Sequence, residues 1–128
     1  MDWMLKDLGT SVPQIRHVVV LSSDGLCMAR YGADIDIADR VAAACAGLQS
    51  LAAAIAAEFP HGDGTMRLVV LEVDAGFFYL MAAGAGAYLA ALADEGVDAG
   101  LMAARMRDLV ARIGEHLTSP PRADGQYA

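Results

Sequence analysis

Positive charge is scarce in this sequence. It carries 9 Lys and Arg against 16 Asp and Glu, a net charge of −7, and the basic residues are scattered. Gripping nucleic-acid phosphates takes a concentrated basic surface, so nucleic acid is excluded as the main partner. Cysteine is nearly missing: Cys27 and Cys45 are too few for a disulfide framework. The start, Met1 to Asp7, lacks the basic and apolar regions of a secretory signal. Both thiols are therefore expected free, in a reducing cytoplasm. Nor does the chain contain G-x-x-x-x-G-K-[ST], so it is not itself a P-loop nucleotide hydrolase.

What is abundant is alanine, concentrated from Asp36 to Phe59. No charged residue lies between Arg40 and Glu58. The segment is too poor in Leu, Ile, Val and Phe to read as a membrane span of about 20 residues. Alanine is the strongest helix former, so one long helix is expected. Its larger residues, Ile37, Val41, Leu48, Leu51, Ile55 and Phe59, recur at helical spacing with Ala44 in the gap, and this stripe is expected to pack on a sheet. The remaining faces carry Ala38, Ala42, Cys45, Ala46, Gln49, Ala52, Ala53 and Ala56. A helix apolar all round is buried all round, so a second polypeptide is expected to cover what the sheet does not.

The rest of the chain fits one domain. At 128 residues it can bury roughly two-thirds of its unfolded surface, and a hydrophobic fraction of 56% excludes disorder for most of it. Asp2 to Thr10 reads as a short amphipathic helix ended by Gly9 and Pro13. Ile15 to Ser22 is the strongest strand, and Asp24-Gly25 supplies a hairpin turn before the returning strand Leu26 to Tyr31. Asp34 or Asp36 can cap the long helix. Pro60 to Gly64 breaks it. Strands then follow at Arg67–Val73, Phe77–Ala82 and Ala87–Ala93. A final helix runs from Val97 to Leu117, with Leu101, Met102, Met106, Leu109, Val110, Ile113 and Leu117 inward. The stretch 118–128 reads as a disordered tail. The order α-β-β-α-β-β-β-α predicts an α+β fold: a five-stranded antiparallel sheet with the central helix on one face and the terminal helices on the other.

Candidate chemistry is sparse. Gly84-Ala85-Gly86 joins two strands instead of opening a helix, so it reads as a turn rather than a phosphate loop. His61 and Asp63 have no second ligand pair for a metal. His17 and His116 fall on a strand start and a helix end. Ser22, Ser23 and Asp24 serve turn geometry. Neither cysteine has a basic neighbour to activate it. Arg67, beside a Gly-rich loop, could be weighed as an arginine finger, but an edge-strand arginine in solvent is the simpler reading. No enzymatic activity, cofactor or metal is expected.

These residues resemble the Roadblock/dynein light-chain family, in its bacterial, actinobacterial conservon-type form. The likeness covers residues 2 to 117. It rests on Val12–Leu26, Gly47–Ala52, Leu71–Phe78 and Val110–Thr118, each short and apolar but in a specific order and spacing. The chain departs from its relatives at Ala85-Gly86, where Asp-Gly is common, and in the uniformity of its alanine helix. The resemblance implies a profilin-like fold and a homodimer in which the central helices pair and Arg67–Val73 joins its mate into one sheet. The interface residues it implies, together with the helix faces above, are Ala42, Cys45, Ala46, Gln49, Ala53, Ala56, Arg67, Val69 and Leu71. It further implies a non-catalytic cytoplasmic adaptor that binds and regulates a small Ras-like GTPase. The gliding-motility relative is such a regulator. In conservons the adaptor is encoded beside a membrane sensor kinase and a GTPase, so any membrane association comes through partners. The alternatives are a purely structural scaffold and a small-ligand sensor domain, the latter disfavoured by an interior of Ala, Val and Leu.

Overall fold

A computed structural model describes residues 1–84 and 86–118. The expected tail from 119 onward, and Ala85 in the turn before the last strand, lie outside the described residues. Eight elements follow one another: α1 (Asp2–Ser11), β1 (Ile15–Ser22), β2 (Cys27–Tyr31), α2 (Ile35–Ala56), β3 (Leu68–Val73), β4 (Gly76–Ala82), β5 (Ala87–Asp94) and α3 (Ala99–Thr118). The strands form one sheet in the order β2-β1-β5-β4-β3, and every neighbouring pair is antiparallel. α1 and α3 lie on one face and α2 on the other, as the sequence predicts.

Central position explains the strand composition. Val18, Val19, Val20 and Leu21 of β1 are fully buried, because helices cover both faces of this strand and a continuous apolar run fits. On the α1/α3 face, Leu5, Leu8, Leu89, Met102, Met106, Leu109 and Ile113 make a core of large side chains. α1 can approach β2 because residue 9 is glycine: an added Cβ would stand 2.1 Å from the Tyr31 ring. Arg112 ties the two helices on the outside, pairing with Asp7 at 3.0 Å and lying 5.4 Å above the Trp3 ring. Exposed pairs of this kind add little stability. One polar atom in this core has no partner among the described residues, the Tyr79 hydroxyl. Burial, then the charge of Asp98, pushes its pKa up.

The helix boundaries follow local chemistry. The Asp34 carboxylate accepts the N–H of Ile37 at 2.8 Å, and that of Asp98 accepts the N–H of Leu101 at 3.0 Å. Each satisfies an amide that a helix start leaves unpaired. α2 stops at Ala56, earlier than the expected Phe59. Glu58 N–H bonds Ile55 O, and Phe59 N–H bonds Ala56 O, a tightening of the chain into three-residue turns before Pro60. Leu101, expected inward, is 40% exposed on the first turn of α3.

The sheet has two unlike edges. At β2, the Asp2 carboxylate of α1 accepts the backbone N–H of Arg30 at 3.2 Å. β3 is the last strand on the other side.

Candidate functional site

β3 pairs with β4 from Leu68↔Met81 to Val73↔Gly76 without a register shift. Alternation puts Val69, Leu71 and Val73 on the α2 face and Leu68, Val70 and Glu72 on the other. Val70, Leu71 and Val73 are 47%, 43% and 58% exposed. Soluble proteins blunt a free edge with charges, proline or a bulge. Within β3 only Glu72 does so, so this edge is apolar, regular and open.

α2 adds a second open surface. Ala38, Ala42 and Cys45 pack on Val19, Leu21, Leu80 and Ala90. Leu51, Ile55 and Phe59 point away from the sheet, each 64–65% exposed. The expected stripe is therefore split: Val41 and Leu48 pack partly against the sheet core, and the C-terminal members do not. The larger residues at 51, 55 and 59 do not rest on the sheet, and small residues do. Ala42 and Cys45, expected at a dimer interface, are instead buried beneath their own helix at 0% and 1% exposure and cannot reach another chain. The physical reason is that small side chains let a helix sit close to the sheet surface.

The other expected interface residues are distributed as follows. Ala46, Gln49, Ala53 and Ala56 are half-buried along α2, Val69 is half-buried on β3, and Arg67 and Leu71 are exposed. The structure thus brings Val69 and Leu71 together on the open face. Ala46 sits beside the β1–β2 turn, where a Cβ added to Gly25 would stand 3.1 Å from it. Gly25 itself has φ +86°, which the hairpin turn requires. Sequence reasoning missed Leu51, Ile55, Val70 and Val73 as available surface. The signal was present in the spacing of the α2 residues, but it names a stripe without naming what covers it.

Between the end of α2 and the start of β3 runs an open groove of about 1020 Å³, lined by Ile55, Phe59, Pro60, Met66, Arg67 and Val69 among others. Its polar residues lie on the connecting loop. The Asp63 carboxylate accepts the Thr65 hydroxyl at 2.6 Å and the Thr65 N–H at 3.0 Å, bonds that hold its pKa below the usual range. Among the described residues no group of three or more His, Cys, Asp or Glu converges as a metal site would require. Burial pushes the Cys45 thiol up to about 11. The Cys27 thiol is also raised, first by burial and then by Asp39. Both are protonated near neutrality and poor nucleophiles. No described helix is long and apolar enough to cross a membrane.

The architecture is an antiparallel sheet with two helices closing one face and a single helix beside an open edge on the other. The sequence matches the Roadblock/LC7 domain family over residues 1–93, and the chain belongs to that family. A Roadblock/LC7 domain from Streptomyces avermitilis is similar at 37% identity, over 93% of this chain and 98% of that one, with a TM-score of 0.87. The gliding protein MglB from Thermus thermophilus shares the fold at 16% identity and a TM-score of 0.82, over 92% of this chain and 88% of its own. MglB from Myxococcus xanthus does so at 17% and 0.77, over 93% and 92%. No curated protein matched the sequence.

Proposed function

We propose that this protein is a non-catalytic homodimeric adaptor that binds and regulates a small Ras-like GTPase, within a bacterial signalling complex that includes a sensor kinase. The observation that carries the reading is the contiguous open apolar surface of α2 and β3, with Leu51, Ile55, Leu71 and Val73 each at least 43% exposed. Monomeric proteins rarely leave such a surface in water. A second copy joined at β3 satisfies the unpaired edge and covers one flank of α2. The outward side of both α2 helices then remains for the GTPase, whose switch loops it would hold in one conformation. A solved MglB relative is described with a tetrameric arrangement, which supports self-association as a property of the fold. Arg67, Val69 and Leu71 belong to this interface; Gln49, Ala53 and Ala56 border it.

Light scattering on the purified chain tests the dimer. GTP hydrolysis and nucleotide release by the GTPase encoded alongside, with and without this protein, test the regulation. A change in either rate is expected. Binding with both rates unchanged would replace regulation by a scaffold role, and a monomer would remove the adaptor model.

A further inference from the structure

Cys27 and Met28 set two sulfur atoms side by side on the edge strand β2, and the fold treats them oppositely. Leu21 of β1 pairs with Cys27, while its neighbour Val20 pairs with Ala29. Met28 is thus the extra residue of a β-bulge, left without a partner on β1. Cys27 packs partly on the α2-side core and Ala29 is buried in the α1/α3-side core, whereas Met28 belongs to neither and is 43% exposed. The half-buried Cys27 thiol donates to the Ala29 carbonyl at 3.5 Å. Its raised pKa keeps it protonated, and oxidants of the peroxide class react with the thiolate. The cysteine of the pair is therefore protected.

The other methionines are protected by burial. Met4, Met66, Met81, Met102 and Met106 are at most 8% exposed, and Met1 is half-buried against the α1/α3 core. A sulfoxide at any of the buried positions would force a polar group into packed apolar surroundings. At the bulge it meets water.

We propose that Met28 is a reversible oxidation site, modified by hydrogen peroxide in the folded chain ahead of every other methionine. The thioether sulfur takes one oxygen atom from the peroxide, which is reduced to water. The sulfoxide oxygen accepts hydrogen bonds, so the exposed apolar stretch Leu26–Met28 becomes polar while the fold stays intact. Exposure also leaves the product within reach of the reductases that reverse this step. β2 is the strand farthest from β3, so the site lies away from the surface proposed for association and does not depend on it.

A time course of the full chain in dilute hydrogen peroxide, read by peptide mass spectrometry, tests this. Mildly acidic buffer keeps thiolate scarcest. Met28 is expected to gain one oxygen ahead of Met1 and at least tenfold faster than the buried methionines, with Cys27 still a thiol. The same chain unfolded in urea should lose this ranking, and Met28→Leu should lose the fast phase. The Met28 sulfoxide chain should keep its circular dichroism spectrum and return to the thioether with methionine sulfoxide reductases, one for each epimer. A buried methionine that oxidises as fast as Met28, or oxygen arriving first on Cys27, overturns the assignment. A sulfoxide chain that unfolds, or that the reductases leave unchanged, overturns the reversibility.

Discussion

The two faces of the sheet are built from different material. Beneath α1 and α3 the contacts come from Leu5, Leu89, Met102, Met106 and Ile113, all 0% exposed. Beneath α2 they come chiefly from Ala38, Ala42, Cys45 and Ala90 against Val19, Leu21 and Leu80. The same chain thus makes one face a core of large side chains and the other a thinner layer, with Val41 and Leu48 packed partly on it and Leu51 and Ile55 turned outward. Burial of large side chains holds the protomer together, so the α1/α3 face carries the fold. The α2 face is the one the proposed dimer would use, and the contrast separates residues that stabilise the protomer from those left exposed.

The largest effect expected is on the finished face. Ile113→Ala should lower the unfolding free energy by about 2–5 kcal/mol, since a fully buried aliphatic leaves a cavity when truncated; urea melts measure it. A loss below about 1 kcal/mol would show that this core is looser than its burial implies.

Next is the buried thiol beneath α2. Its pKa is about 11 in the folded chain against an ordinary 9.0, so the folded state holds the proton more tightly than the unfolded state. The stabilisation is complete below pH 9 and is lost as the pH climbs toward 11. The decline should be of order 2 kcal/mol across that window and should shrink in Cys45→Ala. Identical alkaline unfolding curves for the two proteins would contradict it.

Tyr79→Phe should be neutral or stabilising by about 1 kcal/mol, because it removes a buried hydroxyl that has no partner among the described residues. A loss of more than that would reveal a bond made by the hydroxyl.

The smallest effect on the protomer is expected where an apolar residue is turned outward. Ile55→Lys should change monomer stability by no more than about 0.5 kcal/mol while weakening self-association at least tenfold. Melts at dilution and light scattering at high concentration read the two separately. An Ile55→Lys chain that unfolds at dilution would erase the distinction between the faces.

Much of the fold was legible before the structure. The strand run at Val18–Leu21, the Asp24-Gly25 turn and the Asp34 cap each have a local physical cause, and each stands where the sequence puts it. What was not legible was the rotation of α2. Two apolar stripes run along it, and periodicity cannot say which meets the sheet and which meets a partner. Size was the wrong guide, because Ala42 and Cys45 went inward and Leu51 and Ile55 outward. Of the nine expected interface residues, Ala42 and Cys45 failed for this one reason. Val69 and Leu71 lie on the open strand β3, which starts at Leu68, one residue after Arg67, because an edge, unlike a helix face, follows from strand order.

The Asp2 carboxylate on the Arg30 amide gives the sheet a direction of growth. β3 can accept another strand, while β2 has part of its outward hydrogen-bonding capacity already occupied. In polymer terms the two ends differ in reactivity, β3 open along its length and β2 partly capped. In the proposed dimer the open edges would be used up on each other, leaving only the partly capped β2 edges at the two ends of the sheet.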